Sequence, residues 1–345
     1  MITFTYKPRP ALNYKDTNVH EFTPIPFCFV GPRGVGKTSL LASMHQEIKK
    51  GGVKGIFIDN VNSEKGADTL SALNEAHTDM LEMIEDTEKG QIVQSVGIWG
   101  SQDLHIFEFM GKYKIRDKSL IKFSNFKEFR FPFHFIDFPG KWYIDKSSNK
   151  EKATEALKNS VVSFLAVDTP ALMKGGATCA RKNMINTIES WYDSLKYVLA
   201  ANGHAVIFVL SKAEKYWNDF DELKQKMEEC YGTLIATLKN AGVGVYATKI
   251  KTLGGIEFSH YDEKNNPKFM RTGDYKPENC ATPLQLALKH GLVHVAKNLP
   301  DGPWDKIAKW LGLSNRQIAI KSAETLAEEL NKKLQAGNDF NYIKL

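Results

Sequence analysis

Short apolar runs alternate with longer amphipathic stretches along most of this chain, which is the rhythm of a parallel β-sheet covered by helices. Several runs are too short for helices and predict buried strands, at residues 27–30, 161–167, 205–210 and 242–247. Other stretches repeat their apolar residues every three or four positions and predict helices, at residues 38–50, 183–201, 220–238 and 282–297.

The region from residue 53 to 130 is less regular. Its first part predicts a helix at residues 68–86, and two later segments, 104–115 and 126–136, place apolar residues at alternate positions. Alternation is typical of strands with one buried face, so we expect an antiparallel ribbon at the edge of the sheet. The predicted fold class is α/β: a mostly parallel sheet flanked by helices, with an antiparallel edge ribbon.

The composition fits a soluble globular protein, because 42% of the 345 residues are apolar and 25% are charged. The net charge of +6 is too small by itself to indicate a nucleic-acid partner. We expect the lysine-rich segments 112–127 and 141–158 to be solvated faces; the alternative is a patch that binds nucleic acid or an anionic membrane. The four cysteines stand apart without a C-x-x-C pair, which argues against a zinc knuckle and favours a reducing compartment. The longest apolar runs are less than half a membrane span, so we expect a cytoplasmic protein.

Residues 31–38, G-P-R-G-V-G-K-T, match the phosphate-loop (P-loop) pattern G-x-x-x-x-G-K-[S/T]. Glycines let the backbone curl so that successive N–H groups face phosphate; the lysine reaches the β- and γ-phosphates, and the threonine hydroxyl ligates Mg²⁺. A predicted strand precedes this loop and a predicted helix follows it, so the helix N-terminus points at the same phosphates. The candidate phosphate-binding residues are Gly31, Gly34, Val35, Gly36, Lys37, Thr38 and Ser39.

A second motif, D-F-P-G, follows an apolar strand at residues 137–140. Asp137 can hold Mg²⁺ through water, and the N–H of Gly140 can sense the γ-phosphate. These residues resemble the D-x-x-G motif of GTPases in its D-x-P-G form. The alternative is a strand that merely ends in a Pro-Gly turn.

A third motif, S-K-A-E, follows another apolar strand at residues 211–214. GTPases read guanine with [N/T]-K-x-D at this place, where the lysine stem covers the base and the carboxylate accepts hydrogen bonds from it. By this resemblance Lys212 and Glu214 are base-binding candidates, although serine and glutamate depart from the pattern. Thr248, in A-T-K at residues 247–249, loosely fits the S-A-K segment that contacts guanine O6 in GTPases.

The order of these motifs resembles the translation-factor-related (TRAFAC) class of P-loop GTPases over residues 24–297. The long gap between Thr38 and Asp137 is similar to that of dynamin-like members, and the layout also resembles bacterial double-GTPase-like families. The resemblance implies a hydroxyl ligand for Mg²⁺ in the segment before the second strand. Ser101 is the best-placed candidate, with Ser95 second; the metal ligands expected are therefore Thr38, Asp137 and Ser101.

The same resemblance implies an enzyme: a Mg²⁺-dependent switch that binds GTP and GDP and hydrolyses GTP. We expect Lys37, Arg33 and Gly140 to be its catalytic residues. Residues 141–144 include none that can orient water, so we expect slow intrinsic turnover that an effector, an activating partner or a homodimer accelerates. Two alternatives stay open: a P-loop ATPase module of the AAA or signalling type, and a scaffold that binds nucleotide without turnover.

The sequence divides into three expected parts. Residues 1–23 form an N-terminal arm, 24–297 a P-loop domain with an insert at 53–130, and 298–345 a helical C-terminal tail. The tail carries a narrow apolar stripe with Leu326, Leu330 and Leu334, which either packs on its own domain or binds a partner. Trp142 and Tyr143, just after the second motif, present the same two alternatives.

Overall fold

The computed structural model describes residues 24–49, 56–60, 64–93, 103–116, 126–143, 148–264, 266–298, 315–336 and 343–345. The expected N-terminal arm at 1–23 lies outside these ranges, as do the two hydroxyl candidates Ser95 and Ser101.

The strands are β1 (Ile25–Val30), β2 (Ile56–Asn60), β3 (His105–Arg116), β4 (Phe126–Asp137), β5 (Val162–Asp168), β6 (Ala205–Ser211), β7 (Gly244–Lys249), β8 (Ile256–Tyr261), β9 (Pro267–Arg271) and β10 (Ile343–Lys344). The helices are α1 (Lys37–Lys49), α2 (Glu64–Glu85), α3 (Ser148–Asn159), α4 (Thr169–Lys174), α5 (Gly176–Lys182), α6 (Ile185–Ala201), α7 (Phe220–Ala241), α8 (Ala281–Asn298) and α9 (Asn315–Ala336). A short 3-10 turn, Glu214–Tyr216, precedes α7.

Eight strands form one sheet in the order β10-β7-β6-β5-β1-β4-β3-β2. The first strand, β1, lies in the middle and pairs in parallel with β4 on one side and β5 on the other, and β6 and β7 continue the parallel part. On the other side β3 runs antiparallel to both β4 and β2. The predicted fold class, a mostly parallel α/β sheet of the P-loop type with an antiparallel edge ribbon, is confirmed.

The sheet has helices on both faces because its central strands are apolar on both faces. On β1, Phe27 and Phe29 face the layer of α1, α2, α8 and α9, whereas Cys28 and Val30 face α3, α6 and α7. Aromatic rings of neighbouring strands fill the first face; the Phe29 and Phe164 rings stack with their centroids 5.0 Å apart. This double burial holds the carboxyl ends of β1, β4, β5 and β6 together.

The C-terminal helix α9 packs against the chain's own helix α8. Its apolar stripe is buried and consists of Ala323, Leu326, Ala327, Leu330 and Leu334. Lys289 of α8 donates from Nζ to Asn331 Oδ1 at 2.7 Å. After α9, the backbone N–H of Leu345 bonds the Val245 carbonyl at 3.1 Å, next to the short pairing of β10 with β7. The tail residues that the structure describes are thus part of the domain's own packing.

Several elements were not predicted. Strand β2 extends the edge ribbon by one strand, so residues 56–60, 105–116 and 126–137 belong to the main sheet. Helix α3 is strongly polar, and the β8–β9 hairpin forms a separate two-stranded sheet whose residues are mostly half-buried. Periodicity is weak in such segments. Among the described helices, none is both long and apolar enough to span a membrane.

Candidate nucleotide-binding site

The P-loop joins β1 to α1. Gly31, Gly34 and Gly36 have φ values of 149°, 77° and 100°, which L-residues rarely adopt, so the curled backbone depends on these glycines. The loop ends where α1 begins, at Lys37, so Thr38 and Ser39 lie in the first helical turn, with its free N–H groups. The Lys37 ammonium group folds back over the loop and donates to the carbonyl of Gly31 at 3.1 Å.

Two charges meet beside this loop. Burial lowers the pKa of Lys37, and the negative charge of Asp137 opposes that shift. Asp137 is buried at the end of β4, where it pairs in register with Phe29 of β1. The strand pairing therefore brings the second motif directly next to the first.

The oxygen donors of this site are suited to a magnesium ion. The Thr38 hydroxyl and the Asp137 carboxylate are hard ligands, and Mg²⁺ commonly takes only one or two protein ligands, completing its shell with water and phosphate. Within the described ranges no group of three or more His, Cys, Asp or Glu side chains could hold a metal ion by itself. The third expected ligand, Ser101, is outside those ranges.

Gly140 of the second motif rests on the P-loop backbone. A Cβ atom built on it would lie 2.5 Å from the carbonyl oxygen of Gly31 and 2.8 Å from the backbone nitrogen of Arg33. Real side chains do not approach a backbone so closely, so only glycine fits here. Arg33 itself is exposed at the top of the loop. The first and second motifs are therefore in direct backbone contact.

The two aromatic residues after Gly140 are buried. Tyr143 stacks on Trp191 of α6 with ring centroids 5.4 Å apart, and the Lys152 ammonium group lies 5.8 Å from the Trp142 ring centroid. Of the two alternatives for these side chains, the structure has them packed in the domain. Lys141 is exposed between them and Gly140.

The third motif also contacts the P-loop. The Ser211 hydroxyl lies 2.7 Å from the Val35 carbonyl oxygen and 2.8 Å from that of Val167, and it can donate to either. Lys212 has a left-handed backbone, with φ 57°, and its ammonium group donates to the carbonyl of Gly34 at 2.9 Å. Two consecutive residues thus fix the loop after β6 on the loop after β1.

Asp168 is a site residue that sequence reasoning missed. One carboxylate oxygen accepts a hydrogen bond from the ammonium group of Lys212 at 2.6 Å. The other caps α4 by accepting a hydrogen bond from the N–H of Ala171 at 3.0 Å. Asn183 holds its backbone by accepting the N–H of Asp168 at 2.7 Å. The available sequence sign was an aspartate followed by Thr-Pro at a strand end, a frequent helix start.

Glu214 is buried, and its carboxylate meets the loop after β7. Its Oε1 accepts the backbone N–H groups of Leu253 at 3.2 Å and Gly254 at 3.4 Å. Burial raises the pKa of Glu214, and hydrogen bonds from backbone N–H groups oppose the shift. The predicted base-reading carboxylate therefore already accepts a pair of N–H donors from the protein.

Thr248 is fully buried in β7 and its hydroxyl accepts a hydrogen bond from the Asn279 amide at 3.2 Å. The same amide donates to the carbonyl of Lys249 at 2.6 Å. Lys249 in turn donates to the carbonyl of Trp217, and its ammonium group lies 4.6 Å from that ring's centroid. The side chains of Thr248 and Lys249 therefore bond neighbouring residues of the protein.

A cleft of about 450 Å³ lies beyond the third motif, between α4, the start of α7 and β8. Its lining includes Lys174, Tyr216 and Phe258 and contains none of the residues predicted for the nucleotide. Of the predicted base residues, Lys212 contacts the P-loop backbone, whereas Glu214 and Thr248 contact the segments after β7.

No protein-family model and no curated protein matches this chain. Among solved structures, it is similar to the GTPase-like domain of S. cerevisiae Ski7 bound to GDP and inorganic phosphate, with 17% identity, a TM-score of 0.36, and coverage of 70% of this chain and 45% of that chain. The same domain bound to GTP gives 14% identity, a TM-score of 0.36, and coverage of 66% and 42%. A dimerization-deficient mutant of Toc33 from Arabidopsis thaliana gives 12% identity, a TM-score of 0.33, and coverage of 73% and 77%.

This chain therefore spans less than half the length of the Ski7 chains it matches. At such TM-scores and identities these likenesses assign neither a family nor an activity.

Proposed function

We propose that this protein is a Mg²⁺-dependent, guanine-nucleotide-binding switch of the P-loop class that hydrolyses GTP slowly. The observation that carries the proposal is the attachment of the third motif to the P-loop, through Ser211 to Val35 at 2.7 Å and Lys212 to Gly34 at 2.9 Å. The two bonds place the Lys212 stem beside the loop that would hold the phosphates. That arrangement supports one site that binds phosphate and base together.

The phosphates would lie in the curl of the P-loop, at the N-terminus of α1, where backbone N–H groups and the helix dipole favour negative charge. Lys37, now bonded to the Gly31 carbonyl, is close enough to exchange that partner for a phosphate oxygen. Mg²⁺, held by Thr38 and Asp137, would neutralise charge on the β- and γ-phosphates. The Gly140 N–H would report the γ-phosphate to the segment that follows it.

The base would lie on the Lys212 stem, whose ammonium group is tied to Gly34 and Asp168. Glu214 would accept the paired N–H donors on the Watson–Crick edge of guanine. Its present bonds to the N–H groups of Leu253 and Gly254 support this role, since they are donors of the same kind and long enough to be exchanged.

Turnover would be slow in the isolated protein. Lys141 is exposed and Trp142 and Tyr143 are buried in packing, so none of the three is placed to orient an attacking water. Arg33 is the exposed guanidinium on the P-loop and would act in cis or across a homodimer. An activating partner or effector protein is the other source of acceleration, and we place the protein in the cytoplasm because its cysteines are isolated.

An ATP-binding module is the second candidate, and one observation favours it. Oε1 of Glu214 already accepts two backbone N–H groups, and burial raises the pKa of its carboxyl group. If it kept those bonds, Glu214 would be unavailable to guanine, and discrimination against ATP would be lost.

Calorimetric titration of the full chain with GTP and ATP, in the presence and absence of Mg²⁺, tests the proposal. We expect GTP to bind about 10²-fold more tightly than ATP, because a buried carboxylate facing adenine loses its partners. Lys37→Ala should weaken GTP about 100-fold or more by removing a charge-assisted hydrogen bond. Lys49→Ala, an exposed lysine at the other end of α1, is the matched control and should change nothing.

Equal affinities for GTP and ATP would favour the ATP-binding candidate, and unchanged GTP affinity in Lys37→Ala would refute the phosphate site. Turnover is measured separately, as phosphate release at increasing protein concentration. A rate far below ~1 s⁻¹ that rises with concentration supports the switch, whereas a fast rate insensitive to Arg33→Ala contradicts it.

A further inference from the structure

The hairpin of β8 and β9 is held in place from two sides. At its base, the N–H of Thr272 bonds the Gly255 carbonyl at 2.8 Å. Along its outer edge, the N–H of Val93 bonds the carbonyl of Phe269 at 2.8 Å, in the segment that follows α2. The Arg271 guanidinium also donates to the carbonyl of Thr87, just beyond the end of α2, at 2.6 Å. The hairpin is thus a fixed part of the domain.

Aromatic residues of this hairpin face lysines of the third motif and its 3-10 turn. The ammonium group of Lys212 lies 5.5 Å from the centroid of the Phe269 ring, and that of Lys215 lies 5.8 Å from the Phe258 ring. The two phenylalanine rings meet edge to face, with centroids 6.1 Å apart. These distances are within the range of cation–π attraction.

The Phe269 contact is the more informative one, because Lys212 is the lysine bonded to the P-loop at Gly34. Phe269 is half-buried, so the residue is not fully enclosed in the core. A planar base lying on the Lys212 stem would therefore be close to an aromatic face supplied by the hairpin. Stacking of a base on an aromatic side chain tolerates any base, because every base has a π-face.

We infer that the β8–β9 hairpin is the outer wall of the base site and that Phe269 packs on the purine ring of the bound nucleotide. This inference rests on the proposed function. It assigns Phe269 to the affinity for purine nucleotides in general, while discrimination between guanine and adenine stays with Glu214. Tyr197, an exposed aromatic residue of α6, is the comparison for it.

The test is calorimetry on the full chain with GTP, GDP and inorganic tripolyphosphate, each with Mg²⁺. We expect Phe269→Ala to weaken GTP and GDP about 10-fold and to leave tripolyphosphate unchanged, because only the base is affected. Phe269→Trp should restore GTP affinity to the wild-type value or better. Tyr197→Ala, which removes a 73% exposed aromatic side chain from α6, should alter none of the three affinities by more than about 2-fold.

Phe269→Leu separates ring stacking from folding, because leucine keeps apolar bulk at the position. If Phe269→Ala has a lowered melting temperature, Phe269→Leu should still lose GTP affinity while keeping the wild-type melting curve. Wild-type GTP affinity in Phe269→Leu or Phe269→Ala would overturn the inference. So would a loss of tripolyphosphate equal to the loss of GTP, since Phe269 would then act on the P-loop through Lys212. Wild-type protein that binds neither GTP nor tripolyphosphate would overturn the proposed function itself.

Discussion

The hydroxyl of Ser211 lies 2.7 Å from the carbonyl oxygen of Val35, although 176 residues separate the two in the chain. Ser211 is the last residue of β6, and Val35 lies in the turn between β1 and α1. The Ser211 hydroxyl lies between the carbonyl groups of Val35 and Val167, so it links the end of β6 to the P-loop. The end of β6 and the phosphate loop are therefore directly bonded to each other.

Ser211→Ala should lower the free energy of unfolding by about 1–3 kcal/mol, because it leaves the buried carbonyls of Val35 and Val167 without this donor. Ser194→Ala is the matched control; its hydroxyl bonds only the Trp191 carbonyl within the half-exposed part of α6, and we expect a change within about 0.5 kcal/mol. Urea denaturation measures both. Equal midpoints for the two variants would show that the Ser211 contact contributes nothing.

Gly140→Ala should destabilise the folded protein and reduce nucleotide binding, because the added methyl group would collide with the backbone of Gly31 and Arg33. Overpacking of this kind costs about 1–3 kcal/mol. Gly232→Ala in α7 is the opposite case: nothing lies within 4 Å of the new methyl group, so the variant should gain up to about 1 kcal/mol. Thermal melting should therefore move in opposite directions, and a shared direction would contradict the glycine argument.

A buried hydrogen-bond chain lies near the start of β6. The Nδ1 of His204 lies 2.7 Å from the carbonyl of Ser160, which can only accept, so Nδ1 carries the proton. Nε2 then accepts from the Ser163 hydroxyl at 2.9 Å, and that oxygen accepts from Tyr192 at 2.8 Å. The chain is complete only with a neutral imidazole.

Burial, with the nearby His290 and His294, lowers the pKa of His204 from 6.5 to about 4. Between these values the unfolded chain binds the extra proton, so the stability is complete above pH 6.5 and falls as the pH decreases towards 4. For this one group the loss is about 2 kcal/mol between pH 7.5 and 5. We expect His204→Asn, compared with wild type at both pH values, to shrink the difference in unfolding free energy. An unchanged pH dependence in His204→Asn would show that His204 is not the group responsible.

Leu330→Ala should cost about 2–5 kcal/mol, because Leu330 is 1% exposed within the packing of α9 against α8. Glu328→Ala, on the solvent side of the same helix, is the control and should change the stability by less than about 0.5 kcal/mol. Deleting residues 304–345 should lower the melting temperature further. Unaltered melting of both Leu330→Ala and the deletion would mean that the tail has another partner.

Much of the sheet could be predicted, because the central strands are continuous apolar runs and the helices α6 and α7 have regular periodicity. The P-loop could be predicted because its chemistry depends on residues adjacent in sequence. Asp168 could not be predicted, since its role depends on Lys212 in the next strand's loop. The hydrogen-bond partners of Glu214 could not be predicted either, because they are backbone N–H groups, which every residue except proline has.

The hairpin was missed for a related reason. Its half-buried positions do not alternate strictly between apolar and polar residues. The contact that singles out Phe269 is with Lys212, which is distant in the sequence. Trp142 and Tyr143 show the converse. Their position after Gly140 left both exposure and packing open; in the structure both are buried, and Tyr143 stacks on Trp191 of α6.

The strand order also fixes the moment at which the site comes into being during synthesis. The P-loop is complete once residue 38 has been made, but β4, β5 and β6, which flank or support it, follow much later in the chain. The β1–β4 and β1–β5 pairs need strands far apart in the chain, and Ser211 and Lys212 reach the P-loop only after β6 has left the ribosome. Under the proposed function, nucleotide stabilises only chains that have passed this point, since a ligand lends stability only to the state it binds. A ribosome-bound fragment ending before β6 would have the whole phosphate motif and gain no protection from the cell's nucleotide pool.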